Sequence, residues 1–182
     1  YIGGIKSLKE FYESHQPKNV FEQHYIDDVD NDAKTLPWLD DQQADRDIIE
    51  HGLSMIDHGH QAFGPVSVSK LNLEAQRLKN ILRSLEKQGY DSEHGYPRGY
   101  FLINHLGDWV FHVVGGKHRV AALVKMGWQN IPFQLEPSFP RIIYQDKISE
   151  WPGVTKGIFS KEEADQIFCT YFRSGEIKLT MS

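Results

Sequence analysis

The sequence predicts an α+β protein with a small mixed sheet flanked by helices. Residues 70–88 repeat apolar side chains at the three-four spacing of an amphipathic helix. Tyr100–Ile103 and Trp109–Val114 are apolar, aromatic-rich runs joined by the turn-forming His105-Leu-Gly-Asp108, a hairpin signal. The remaining helices and short strands alternate without a repeated strand-helix-strand unit, which points away from a parallel α/β fold.

From the N-terminus, residues 4–14 place Ile5, Leu8, Phe11 and Tyr12 on one side of a short helix. Residues 18–38, between Pro17 and Pro37 and rich in Asp, read as loop with short helical turns. Asp40 or Asp41 then caps a helix over about 42–57, with Ile48, Ile49, Leu53 and Ile56 as its apolar positions. Residues 1–60 form a helical extension on this reading, and 61–182 the main domain. Val66–Val68 is a strand candidate. Ser69 caps the long helix, whose stripe is Leu71, Ala75, Leu78, Leu82 and Leu85, widened by Ile81 and ended by Gly89. Residues 91–97 are a polar loop before the hairpin. Val120–Met126 is a helix that stops at Gly127, and 131–135 and 141–144 are two more short strands. Ser160-Lys-Glu-Glu163 is a capping box that opens a last helix to about Phe172.

Composition bounds the function. The 182 residues are 40% hydrophobic, enough to bury a proper core. The formal charge is −5, from 20 Lys and Arg against 25 Asp and Glu. The basic residues are scattered, and Asp27-Asp28-Val-Asp30-Asn-Asp32 is the densest charge run. This argues against broad nucleic-acid binding but leaves room for a local basic pocket. No apolar run approaches membrane-spanning length and no signal-like segment opens the chain, so a cytoplasmic protein without a membrane partner is expected. Cys169 is the only cysteine, which excludes an internal disulfide framework.

The chemistry concentrates in Gly115-Gly116-Lys117-His118-Arg119, where a strand turns into a helix N-terminus. That end of a helix carries partial positive charge, so cationic side chains are disfavoured there unless an anion is bound. Its free N–H groups are a ready phosphate site. His51, His58 and His60 form the densest histidine cluster, but their spacing matches no established metal pattern, and no metal site is assigned to them.

This segment, with Val120-Ala-Ala-Leu123, Gly127-Trp128 and Ile131-Pro132-Phe133, resembles the signature of the ParB/sulfiredoxin-like superfamily. Phe63–Ser69, Arg77-Leu78, Ser84-Leu85 and Gly89-Tyr90 are similar to the upstream half of that domain. Trp151–Ser160, Glu163-Ala164 and Ile167-Phe168 look like the tail of ParB-like proteins encoded among surface-polysaccharide biosynthesis genes. Lys117 stands where sulfiredoxins carry their reactive cysteine, so sulfinic-acid reduction is excluded. The resemblance implies the superfamily's fold. It also implies ATP or ADP with Mg2+ as cofactor, with the phosphates on Gly115, Gly116, Lys117, His118 and Arg119. From the kinase branch it implies Glu74 as the group that activates an acceptor hydroxyl; His118, by the ordinary chemistry of its ring, can also shuttle a proton near neutral pH and is the second catalytic candidate. Arg77, on the same helix face as Glu74, and Arg98, before the hairpin, are the candidate substrate-binding residues. The function so implied is a kinase acting on a hydroxyl of a small metabolite or sugar. A nucleotide-dependent DNA binder or nuclease, and a non-catalytic nucleotide or phospho-sugar binding module, are the alternatives.

Overall fold

The computed structural model describes residues 4–40, 49–60 and 62–173. Helix α1 (Gly4–Ser14) spans the range its apolar spacing predicts. Asn19 then caps the single turn α2 (Val20–Gln23), its side chain accepting the Glu22 N–H at 2.9 Å.

The helix expected over 42–57 gives way to other structure where that range is described; 42–48 lie outside the described residues. Strands β1 (Ile49–Glu50) and β2 (Leu53–Ser54) pair antiparallel, and the one-turn α3 (Met55–His58) follows. His51 and Gly52, at φ 51° and 81°, supply the left-handed pair that a tight two-residue hairpin turn needs. Ile49 and Ile56 are exposed, so the apolar spacing has no surface to pack on.

The strand expected at Val66–Val68 is also replaced. Ser67, rather than Ser69, caps α4 (Val68–Gln88), its Oγ accepting the Lys70 N–H at 3.1 Å. The same hydroxyl lies 2.9 Å from His58 Nδ1, which fastens α3 to the start of α4. Gly89 ends α4 at positive φ as its position predicts.

The sheet is built around one strand. β3 (Arg98–Ile103) pairs antiparallel with β4 (Trp109–Gly115), the expected hairpin. Gly99 sits at an irregularity in this pairing, and a Cβ there would run into the His112 carbonyl oxygen. After β4 comes α5 (Lys117–Lys125), which begins three residues earlier than its apolar run suggests. Of residues 131–135 only β5 (Gln134–Leu135) pairs, parallel to the start of β3, while β6 (Ile142–Tyr144) runs parallel to its end. A 3-10 stretch over Gln145–Glu150 and the short α6 (Pro152–Thr155) lead to α7 (Lys161–Arg173). The capping box of α7 closes both ways: Ser160 Oγ accepts the Glu163 N–H at 3.1 Å, and Glu163 Oε2 accepts the Ser160 N–H at 2.7 Å. The result is a mixed helix and sheet architecture with a small mixed sheet. Among the described residues no helix is long and apolar enough to cross a membrane.

Two apolar clusters hold these elements. The larger joins Tyr100 and Leu102 of β3 to Ile167 and Phe168 of α7, and also takes in Val20, Phe21 and Trp38 from the N-terminal segment. The smaller lies between α4 and α5, with Leu85, Ala122 and Leu123 at its centre. Each fully buried large apolar side chain contributes roughly 1.5–3 kcal/mol. A polar seam crosses the larger cluster. His24 meets Thr170 Oγ1 at 2.8 Å and Tyr171 OH at 3.3 Å, the His112 ring packs on Tyr171, and Trp38 Nε1 donates to Tyr100 OH at 2.9 Å.

Burial disfavours the charged imidazole, and it lowers His24 to about 4. Burial also lowers His112 to about 3, with the charge on Lys117 adding to it. Above the ordinary histidine pKa of ~6.5 both states are neutral and stability is full. Below it the unfolded chain binds protons that the native chain refuses, so stability falls as pH drops, by about 1.4 kcal/mol per pH unit for each histidine until the native pKa is reached. The urea midpoint is therefore expected to drop between pH about 7 and about 5, with a smaller drop in His112→Phe. A midpoint independent of pH in this window contradicts the assignment.

Candidate functional site

Gly116 makes the corner between β4 and α5. It adopts φ 79°, and a Cβ there would press on the Pro97 backbone at 3.1 Å, so both torsion and space favour glycine. No side chain caps α5. In the first turn of α5 the Arg119 and Val120 N–H groups donate to the Gly116 carbonyl oxygen, at 2.9 and 3.1 Å, and a space separates this turn from the loop of residues 91–97.

That space is a cavity of about 610 Å3. Its wall includes Gly115, Gly116, Lys117, His118 and Arg119, together with Arg77 and Arg98. The structure thus brings seven of the eight residues named from the sequence to one cavity. His94, Gly95, Tyr96 and Gln134 complete the polar part, and Ile81 and Val114 the apolar part. Among the described residues no carboxylate lines this wall, although the whole chain carries more acidic than basic residues.

Glu74 is the eighth, and it lies behind the wall. Its side chain is 0% exposed. Lys70 Nζ approaches Oε1 at 3.1 Å, His118 Nε2 approaches Oε2 at 3.1 Å, and Arg77 Nη1 sits 3.3 Å from both oxygens. Burial alone pushes this carboxyl pKa up. The hydrogen bonds from His118 and Lys70 and the charges of Arg77 and Lys70 outweigh it, and bring the pKa down to about 2. Glu74 is therefore an anion at neutral pH, with its lone pairs already engaged. Lys70 was readable from its i,i+4 spacing to Glu74, but that pattern suggests a surface ion pair. The structure buries it, with 2% of the Lys70 side chain exposed.

The basic side chains of the wall are held in different ways. Arg119 donates to the carbonyl oxygens of Gly95 and His94, the latter at 2.9 Å, and so ties the loop of residues 91–97 to α5. Arg98 pairs with Glu136 at 3.2 Å while half its side chain stays in solvent. Lys117 is exposed as a residue, but burial of its ammonium lowers its pKa, and its charge reaches His112 in the core. His118 keeps 21% of its side chain exposed, on the cavity side of its bond to Glu74.

The histidine cluster resolves differently. His58 bonds Ser67, and His60 Nδ1 accepts the Ala62 N–H at 3.1 Å. Among the described residues no group of three or more His, Cys, Asp or Glu is arranged to hold a metal ion. No family model matches this chain, and no curated protein or solved structure matches it either.

A buried carboxylate that loses its partners, or partners that lose it, are costly in the same way. Glu74→Ala is expected to lower unfolding free energy by about 3–5 kcal/mol, because it strands the Lys70 ammonium. Lys70→Met combined with Glu74→Met removes both buried charges and is expected to cost less than Glu74→Ala alone. Urea denaturation of the two proteins decides it, and equal losses contradict an energetic coupling of this pair.

Proposed function

We propose that the cavity binds the phosphates of a nucleotide and that the protein is a phosphotransferase acting on a hydroxyl of a small metabolite or sugar in a cytoplasmic setting. The observation that carries this reading is the composition of the wall: three arginines, a lysine and two histidines around an uncapped helix N-terminus, with no carboxylate among the described lining residues. Arg77 and Arg98 also meet Glu74 and Glu136, but these carboxylates stay off the lining, and in an acidic chain a cavity faced by three arginines and a lysine suits a polyanion. A volume of about 610 Å3 suits a nucleotide-sized ligand. The resemblance of Gly115–Arg119 to the ParB/sulfiredoxin-like signature favours the same guest, and the likeness to polysaccharide-cluster proteins favours a carbohydrate-linked acceptor.

The bound nucleotide supplies the phosphoryl group. The chain's own part is positioning and charge. Backbone N–H groups of the first α5 turn and the Lys117 ammonium hold phosphate oxygens, and Arg98 stands at the rim. His118 receives the proton of the acceptor hydroxyl, with the Glu74 carboxylate behind it to stabilise the imidazolium. Glu74 thus acts through His118 rather than on the substrate. A magnesium ion finds no ligand cluster among the described residues and would enter on the phosphates.

Calorimetric titration of ATP, ADP and CTP, with and without Mg2+, tests this. Micromolar affinity is expected for the wild type, weakened at least about tenfold in Lys117→Ala/His118→Ala, a loss of about 1.4 kcal/mol or more. Arg119 is left intact because it holds the loop. Absence of binding by any of the three nucleotides overturns the reading.

A further inference from the structure

Glu74 already has Arg77 as a counter-charge and His118 as a hydrogen-bond donor, yet it also holds a second, fully buried cation in Lys70. The placement of the bonds shows what the second cation does. Lys70 occupies Oε1, His118 occupies Oε2, and Arg77 lies equidistant from the two at 3.3 Å. The carboxylate is pinned at both ends and cannot swing Oε2 away from the imidazole.

An ionised carboxylate only accepts hydrogen bonds, so the His118 nitrogen facing it must carry a proton. That nitrogen is Nε2. In a neutral ring the other nitrogen, Nδ1, then holds the lone pair. No hydrogen bond engages Nδ1 among the described residues, and His118 lines the cavity.

We propose that Lys70 is a positioning residue of this site: by holding Oε1 of Glu74 it reserves Oε2 for His118 and locks the imidazole with its proton on Nε2 and Nδ1 offered to the cavity. The inference rests on the reading of His118 as the proton acceptor and names the atom. The O–H bond of the acceptor breaks as its oxygen bonds to phosphorus, and the bridging oxygen departs with the donor nucleotide. The released proton sits on Nδ1, while the Nε2 proton stays in its bond to Glu74. Water takes the Nδ1 proton after the product leaves.

The test is a nitrogen-15 NMR measurement of the His118 ring in the whole chain, without ligand, at a pH where the ring is neutral. In the wild type, the proton-bearing nitrogen is expected to be Nε2, with the two nitrogen shifts far apart. In Lys70→Met the shifts are expected to converge as the second tautomer becomes populated, and Lys70→Arg is expected to restore the separation. A purely structural lysine would leave the tautomer unchanged in every folded variant. Should Lys70→Met fail to fold, Lys70→Gln keeps a neutral donor of similar length and is expected to show partial convergence. A wild-type ring protonated on Nδ1, or a truncated variant with unchanged shifts, overturns the proposal. The spectra need no nucleotide. Failed nucleotide binding would therefore overturn the function while leaving the lock in place, and a wrong tautomer would overturn the lock while leaving the anion cavity.

Discussion

The carboxylate of Glu74 is wholly removed from water, and an ion so placed survives only with full compensation. Compensation here draws on two helices. Lys70 and Arg77 come from the turns of α4 on either side of Glu74, and His118 comes from the first turn of α5. The same bonds that neutralise the charge therefore fix the distance and angle between these helices at one end. The Leu85, Ala122 and Leu123 cluster joins them further along. A displacement of α5 by more than about an ångström would break the His118 contact, since hydrogen bonds weaken steeply beyond their usual length.

What surrounds this anchor follows from it. With α5 fixed, the Gly116 corner fixes where β4 ends, and Arg119 then pulls the loop of residues 91–97 over the opening through two carbonyl oxygens. The cavity is the gap these three constraints leave. The acids that meet this wall stand behind it or beside it: Glu74 is buried behind His118 and Arg77, Glu136 pairs with Arg98 and Asp91 meets His94, so none of the three lines the cavity itself. The larger aromatic core, with its His24 and His112 seam, packs on β3 and takes in the N-terminal segment, and Val114 belongs both to it and to the cavity lining.

Much of this was legible along the chain. The long helix and its glycine stop, the hairpin, the capping box of α7 and the Gly115–Arg119 corner are all local patterns. Each is written in residues a few positions apart, where helix period, turn chemistry and capping act directly. The failures were local patterns that lacked a partner. The spacing of Ile49, Leu53 and Ile56 suits a helix, but the left-handed pair His51 and Gly52 and the absence of a packing surface make a hairpin instead. Ser69 is a plausible cap by spacing, yet Ser67 takes the role because its hydroxyl also meets His58.

The sequence alone determined the class of architecture, the position of the basic corner, and that the chain is acidic outside it. Only the tertiary structure decided that Lys70 and Glu74 are buried. Their positions lie beside the apolar stripe of α4, where charged residues ordinarily face water. Both α1 and α5 pack against α4, and His118 of α5, more than forty residues further on, meets Glu74 directly. The same long-range packing turned a corner with three basic residues into a cavity, since His94, Gly95 and Tyr96 reach it only through the loop that Arg119 holds. Local patterns are set by neighbours in the chain, whereas the environment of a charge is set by whatever folds against it.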